Sequence, residues 1–187
     1  MKTEGSLRDD VGEILITEEE LQARIAEIAE AISTDYQGQD LLLVCILKGA
    51  MVFLSDLMRC ISILHKIDFM AISSYGAGTE TSGVVRILKD LDVSIEGRNV
   101  LVVEDIIDTG LTLGYIFRNL GTRQPASLRT CVLLNKPERR LTTVPLDYLG
   151  FEIPDKFVVG YGLDYGGWYR NLRFVGVLKL ESMASRI

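Results

Sequence analysis

Long apolar runs are missing from this chain of 187 residues. No stretch reaches the ~18 uninterrupted apolar residues of a membrane span, so none is expected. Residues 1–10 are polar and lack the apolar stretch of a secretory leader. Histidine is nearly absent. The single His65 excludes both a nucleophilic triad and a metal site built on histidines. The three cysteines, Cys45, Cys60 and Cys131, are odd in number and show no metal-ligand spacing. Cys45 and Cys131 fall inside apolar runs, where Cys acts as a small hydrophobe. A reduced, cytoplasmic protein without structural disulfides is expected. An excess of positive charge is missing too. Lys and Arg number 20 against 26 Asp and Glu, a formal net charge of −6. That argues against nucleic-acid binding through a broad basic face, while leaving room for a local basic pocket. No repeat, low-complexity tract or linker divides the chain, and residues 1–187 are read as one domain.

What is present is an alternation of strands and helices. Thr17 and Glu20 form a capping-box pattern, and Leu21, Ile25, Ile28, Ala29 and Ile32 then share one helical face. An apolar strand, 41–47, ends on Lys48-Gly49 and leads into a helix over 50–60. Further strands are expected at 67–73, 84–88, 100–103, 128–134, 157–161 and 175–180, with a helix over 111–120. This order predicts an α/β fold, a mostly parallel twisted sheet flanked by helices.

The most informative segment is Val100-Leu101-Val102-Val103-Glu104-Asp105-Ile106-Ile107-Asp108-Thr109-Gly110-Leu111-Thr112-Leu113. Four apolar residues read as a buried parallel strand ending on two acids. Ligands of open α/β sheets bind just past such strand ends. Thr109, Gly110 and Thr112 then offer backbone amides and hydroxyls at a helix N-terminus, which suits phosphate. Glu104 and Asp105 beside that cradle suit ribose hydroxyls or Mg2+. A sugar phosphate satisfies both halves.

The segment resembles the phosphoribosyl-pyrophosphate (PRPP) motif of type I phosphoribosyltransferases, and within them the hypoxanthine-guanine group. A second match is Ile153-Pro154-Asp155-Lys156-Phe157-Val158-Val159-Gly160-Tyr161-Gly162-Leu163-Asp164-Tyr165, which resembles that group's purine-binding segment. The resemblance covers about residues 10–180. It implies transfer of 5-phosphoribose from PRPP to N9 of a 6-oxopurine, with hypoxanthine or guanine giving IMP or GMP and pyrophosphate. It implies a Mg2+ cofactor, a homodimer or homotetramer, and a small hood formed by the N-terminal segment and the stretch after Pro145.

Residue by residue, the resemblance assigns Asp108 as the catalytic base near purine N7. Thr109, Gly110, Leu111 and Thr112 wrap the 5′-phosphate. Many relatives carry a polar or basic residue where this chain has Leu111, so only a backbone contact is expected there. Glu104 and Asp105 face the ribose and the metal, and Asp164 holds a second metal or contacts the guanine amine. Lys48 and Gly49 contact pyrophosphate, often through a cis peptide bond, and Arg170 joins them. Lys136 donates to purine O6, which disfavours adenine because Lys has donors only. Phe157 stacks on the base and Val158 reads its Watson–Crick edge through the backbone. Ser74, Tyr75 and the glycines after them form a lid. Lys136 and Phe157-Val158 argue against adenine, orotate or uracil, and xanthine stays open. A PRPP-binding regulator is the alternative class. It fits less well with the negative charge and with the complete Asp108, Lys136 and Phe157 set.

Overall fold

The computed structural model describes residues 7–74, 85–179 and 181. The segment expected as a lid, from Tyr75 on, lies outside the described residues. In chain order the elements are β1 (Val11–Ile16), α1 (Glu18–Asp35), β2 (Leu41–Leu47), α2 (Ala50–Cys60), β3 (His65–Ser74), β4 (Val85–Lys89), β5 (Asn99–Ile107), α3 (Leu111–Gly121), β6 (Ser127–Asn135), a 3₁₀ turn (Pro137–Arg139), β7 (Tyr148–Glu152), β8 (Val158–Val159) and β9 (Val175–Leu178).

Six strands form the main sheet in the order β4-β3-β2-β5-β6-β7. All neighbours are parallel except the edge pair β3–β4. Strand β2 is apolar throughout because both of its faces are covered. Leu41, Leu43 and Cys45 pack with α1 and α2, and Leu42, Val44 and Ile46 pack with α3. The helix α1 begins as the capping box predicts. Glu20 N–H donates to Thr17 Oγ1 at 3.3 Å, and Thr17 N–H donates to Glu20 Oε2 at 2.8 Å. These bonds hold the Glu20 carboxyl below its ordinary value.

The chain leaves β2 toward β3 on one side and leaves β5 toward β6 on the other. The crevice between the ends of β2 and β5 is therefore the topological switch point, where open α/β sheets bind ligands.

Three features depart from the sequence reading. First, β5 does not stop at its acids but runs on to Ile107, because Glu104, Ile106 and Ile107 pair with Val132, Leu134 and Asn135 of β6. Second, the strand expected over 157–161 is only Val158–Val159. Gly160, Tyr161 and Gly162 all take positive φ, which ends the strand in a left-handed run. Third, the stretch after Pro145 first supplies β7 to the main sheet. The hood is a separate antiparallel sheet, β1-β9-β8, joining the N-terminal strand to the late segments.

Candidate active site

A cleft of about 430 Å³ opens at the switch point, lined by Lys48, Gly49, Asp105, Ile106, Asp108, Lys136, Arg139, Phe157, Val158, Leu163, Asp164 and Arg170. It brings together nine residues singled out from sequence, drawn from the ends of β2, β5 and β6 and from the hood. Thr109, Gly110, Leu111 and Thr112 stand beside it, as the loop and first turn of α3. Glu104 is not on its wall. Strand alternation sends Asp105, with Leu101 and Val103, to the face covered by α2, and Glu104 to the other.

Asp105 and Gly49 are in intimate contact. A Cβ at Gly49 would overlap Asp105 Oδ2, so any other residue here would force that carboxylate to move. The next layer repeats the device, since a Cβ at Gly162 would overlap the Gly49 carbonyl. The hood loop thus lies directly on the start of α2. A non-proline cis peptide lies between β2 and α2 at Leu47–Lys48, one bond before the Lys48–Gly49 bond highlighted from sequence.

Electrostatically the two acids are short of positive charge. Burial lifts the Glu104 carboxyl well above the ordinary range, with the Asp105 charge adding to it, and its Oε2 is buried without a hydrogen-bond partner. Burial likewise pushes Asp105 up to about 6, against the Ile106 N–H that donates to its Oδ1 at 2.8 Å. Asp105, the one of the two on the cleft wall, suits a divalent cation or a sugar hydroxyl. The three acids expected at metal, Glu104, Asp105 and Asp164, do not converge, and no group of three potential ligands forms among the described residues. Asp164 instead meets Arg170 Nη2 at 2.6 Å and accepts from Gly167 N–H at 2.7 Å. Arg170 also donates to the Gly162 carbonyl at 2.6 Å. The two residues assigned to separate ligands are therefore partners in the free cleft.

The loop after β5 turns on Gly110, whose φ of 81° is left-handed and which caps α3. The first amides of α3 have no carbonyl partner within the helix and face outward, as at any helix start. Lys136, expected at the surface if it had no role, is only 6% exposed. Its Nζ donates to the Lys156 carbonyl at 2.6 Å and lies 3.8 Å from Asp155 Oδ1. Phe157 is 47% exposed with its ring edge-on to Tyr165, which leaves apolar surface in the cleft for a planar group.

One charged wall residue was missed from sequence. Arg139 places Nε 3.0 Å from Asp108 Oδ1 and Nη1 3.6 Å from Asp155 Oδ1. The only sequence sign was a pair of arginines shortly after Lys136-Pro137.

A helix start, a carboxylate, a buried lysine and an open aromatic around one crevice suit a ligand that combines a sugar phosphate with a flat heterocycle. Comparison with known proteins agrees. Residues 11–166 match the phosphoribosyl transferase domain family. A hypoxanthine-guanine phosphoribosyltransferase of Mycobacterium avium is 54% identical over 90% of this chain and 86% of its own. Its Bacillus subtilis counterpart is 46% identical over 92% and 96%. The crystal structure of a Staphylococcus aureus hypoxanthine phosphoribosyltransferase superposes with a TM-score of 0.92, at 47% identity, covering 96% of this chain and 98% of that one. The chain belongs to the hypoxanthine-guanine group of the phosphoribosyltransferase family.

Proposed function

We infer that this protein transfers the 5-phosphoribosyl group of PRPP to N9 of a 6-oxopurine, converting hypoxanthine to IMP or guanine to GMP with release of pyrophosphate. The observation that carries this reading is the convergence of Asp108, Lys136 and Phe157 on one cleft beside the Thr109–Thr112 loop. The base stacks on Phe157, donates and accepts through its Watson–Crick edge at the Val158 backbone, and receives a hydrogen bond at O6 from Lys136. The helix start of α3 holds the 5′-phosphate, and Asp105 takes the ribose hydroxyls from the cleft wall. Lys48, Gly49 and Arg170 take the pyrophosphate.

Breaking the C1–pyrophosphate bond builds positive charge on the sugar. Asp108 accepts the proton from N7 as N9 attacks, and its negative charge favours the cationic transition state. A Mg2+ ion would be held by Asp105, the acid of the pair on the cleft wall, with Asp164 available to a second ion. Such an ion normally keeps waters and adds substrate phosphates to one or two carboxylates, so it needs no preformed cage. It supplies neutralisation of the pyrophosphate leaving group. The protein is further proposed to act in the cytoplasm as a homodimer or homotetramer. No described helix is long and apolar enough to cross a membrane.

The test is a spectrophotometric assay of the purified chain with PRPP and Mg2+, offering hypoxanthine, guanine, xanthine and adenine in turn. Turnover of the first two, abolished by EDTA, is expected. PRPP binding without turnover of any base would favour the regulator instead.

A further inference from the structure

We propose that Arg139 is the positioning residue of the catalytic carboxylate, holding Asp108 in register with the purine-recognising Lys136. The inference rests on the phosphoribosyl-transfer reading above and extends it to a residue with no assigned role.

The placement starts in the backbone. The segment carrying Arg139 is fastened to the PRPP loop on both sides of Asp108. Lys136 N–H donates to the Ile107 carbonyl at 3.0 Å, and Leu141 N–H donates to the Thr109 carbonyl at 2.9 Å. The 3₁₀ turn Pro137–Arg139 fills the span between these two bonds. Arg139 is thereby carried to Asp108, with Nε 3.0 Å from Oδ1. The approach is off the hydrogen-bond axis, and Oδ1 is shielded from solvent without a hydrogen-bond partner. Charge attraction is thus what holds that oxygen. The side chain of Asp108 as a whole is 41% exposed, so one oxygen is gripped while the rest of the carboxylate faces the cleft.

The other end of the guanidinium completes a bridge. Arg139 Nη1 is 3.6 Å from Asp155 Oδ1, and that same oxygen is 3.8 Å from Lys136 Nζ. Purine O6 and N7 are neighbours on one edge of the base. A lysine at O6 and a carboxylate at N7 serve one purine only if their separation is fixed. The path Asp108–Arg139–Asp155–Lys136 fixes it through a side chain that needs to touch neither substrate nor sugar. The neighbouring Arg140 adds positive charge near Asp108 but makes no ion pair with it, and its Nη2 is bound to the Asn135 amide oxygen.

The experiment compares wild type, Arg139→Met, Arg139→Lys, Asp108→Asn and the double variant Arg139→Met/Asp108→Asn, each checked by thermal melting. Arg139→Met keeps the stem and removes the charge. Misplacing a reacting group by about an ångström costs up to ~10²-fold, so a kcat loss of about ten- to a hundredfold is expected, with the KM for PRPP within about twofold. Arg139→Lys, restoring charge without the fork, recovers part of the loss. In the Asp108→Asn background, Arg139→Met produces no further loss, because a residue acting only through Asp108 has nothing left to position. Wild-type kcat in Arg139→Met, or losses that multiply in the double variant, would overturn the proposal. Absence of turnover in the wild type would instead overturn the reaction itself, so the two failures are distinct.

Discussion

Gly49→Ala isolates the tightest steric constraint in the cleft. A methyl group at this position overlaps Asp105 Oδ2, lies 2.6 Å from Cγ and 3.2 Å from Oδ1. Something must move, and the backbone is the stiffer partner. The Gly49 carbonyl is pressed against Gly162, and Ala50 behind it is fully buried at the start of α2. The Asp105 carboxylate therefore yields, and its bond from Ile106 N–H is lost or bent. Overpacking of this kind costs about 1–3 kcal/mol. In a chain of this size each kcal/mol lowers Tm by ~2–4 °C, so a fall of roughly 2–12 °C is expected. Activity suffers more, since displacement by about an ångström of a carboxylate proposed to face the ribose and the metal can remove ~10² in kcat/KM for PRPP.

The diagnostic step is a double-mutant cycle on stability, read by urea or thermal unfolding in EDTA. Asp105→Ala removes the atoms that collide, so Gly49→Ala should cost at least about 1 kcal/mol less in that background than in wild type. Additive losses, or a Gly49→Ala variant with wild-type Tm and kcat/KM, would refute the steric argument.

Three other outcomes are expected. In Asp108→Asn, kcat falls by about 10²–10⁴-fold while the binding of both substrates, followed by calorimetry, changes little; unchanged turnover would remove Asp108 from its role. In metal-free protein, the raised carboxyl of Asp105 gives a defined sign. The folded state holds a proton that the unfolded state releases between about pH 4 and 6, so this group's stability contribution is lost as pH rises through that window. Asp105→Asn, which cannot ionise, should melt above wild type near neutral pH and level with it at the acid end, and a constant gap would contradict the burial argument. Finally, Cys60 is exposed while burial pushes the Cys45 thiol up to about 12 and the Cys131 thiol higher still. Ellman's reagent should titrate one thiol quickly in native protein and three after unfolding.

Legibility in the sequence followed the range of the interaction. Features set by neighbours in the chain were visible: the Thr17 capping box, the doubly buried β2, the helix start at Thr109–Thr112 after an acidic strand end. The segment Tyr148–Glu152 was not seen as a strand, because its place at the sheet edge is decided by pairing with β6. The end of β8 was misjudged for a local reason. Tyr161 looks like a strand residue by type, yet adopts a φ of 50° between two glycines. The site residues came largely from motif resemblance, which names positions but not their partners. It could not reveal that Asp164 and Arg170 pair with each other, or that Arg139 reaches Asp108. Those contacts join segments whose proximity only the fold creates.

The same pairings explain why net charge was a poor guide to the ligand. An acidic protein that binds a polyphosphate needs its cations concentrated, and this cleft holds Lys48, Lys136, Arg139 and Arg170. They are not presented as a bare positive field. Arg170 is paired with Asp164 and Arg139 with Asp108 and Asp155. The Arg170 and Asp164 side chains are 28% and 30% exposed. In a pair so largely shielded from water, much of the mutual attraction offsets the desolvation of the two charges, and a ligand bringing its own charges can take over that role. On the proposed reading, pyrophosphate, with more charge and more acceptors than one carboxylate, would take the place of Asp164 on Arg170 and free that acid for a cation. Binding by exchange of partners keeps the empty cleft close to neutral and holds its side chains in place. It also restricts strong attraction to ligands that bring both phosphate and the metal to replace what they remove.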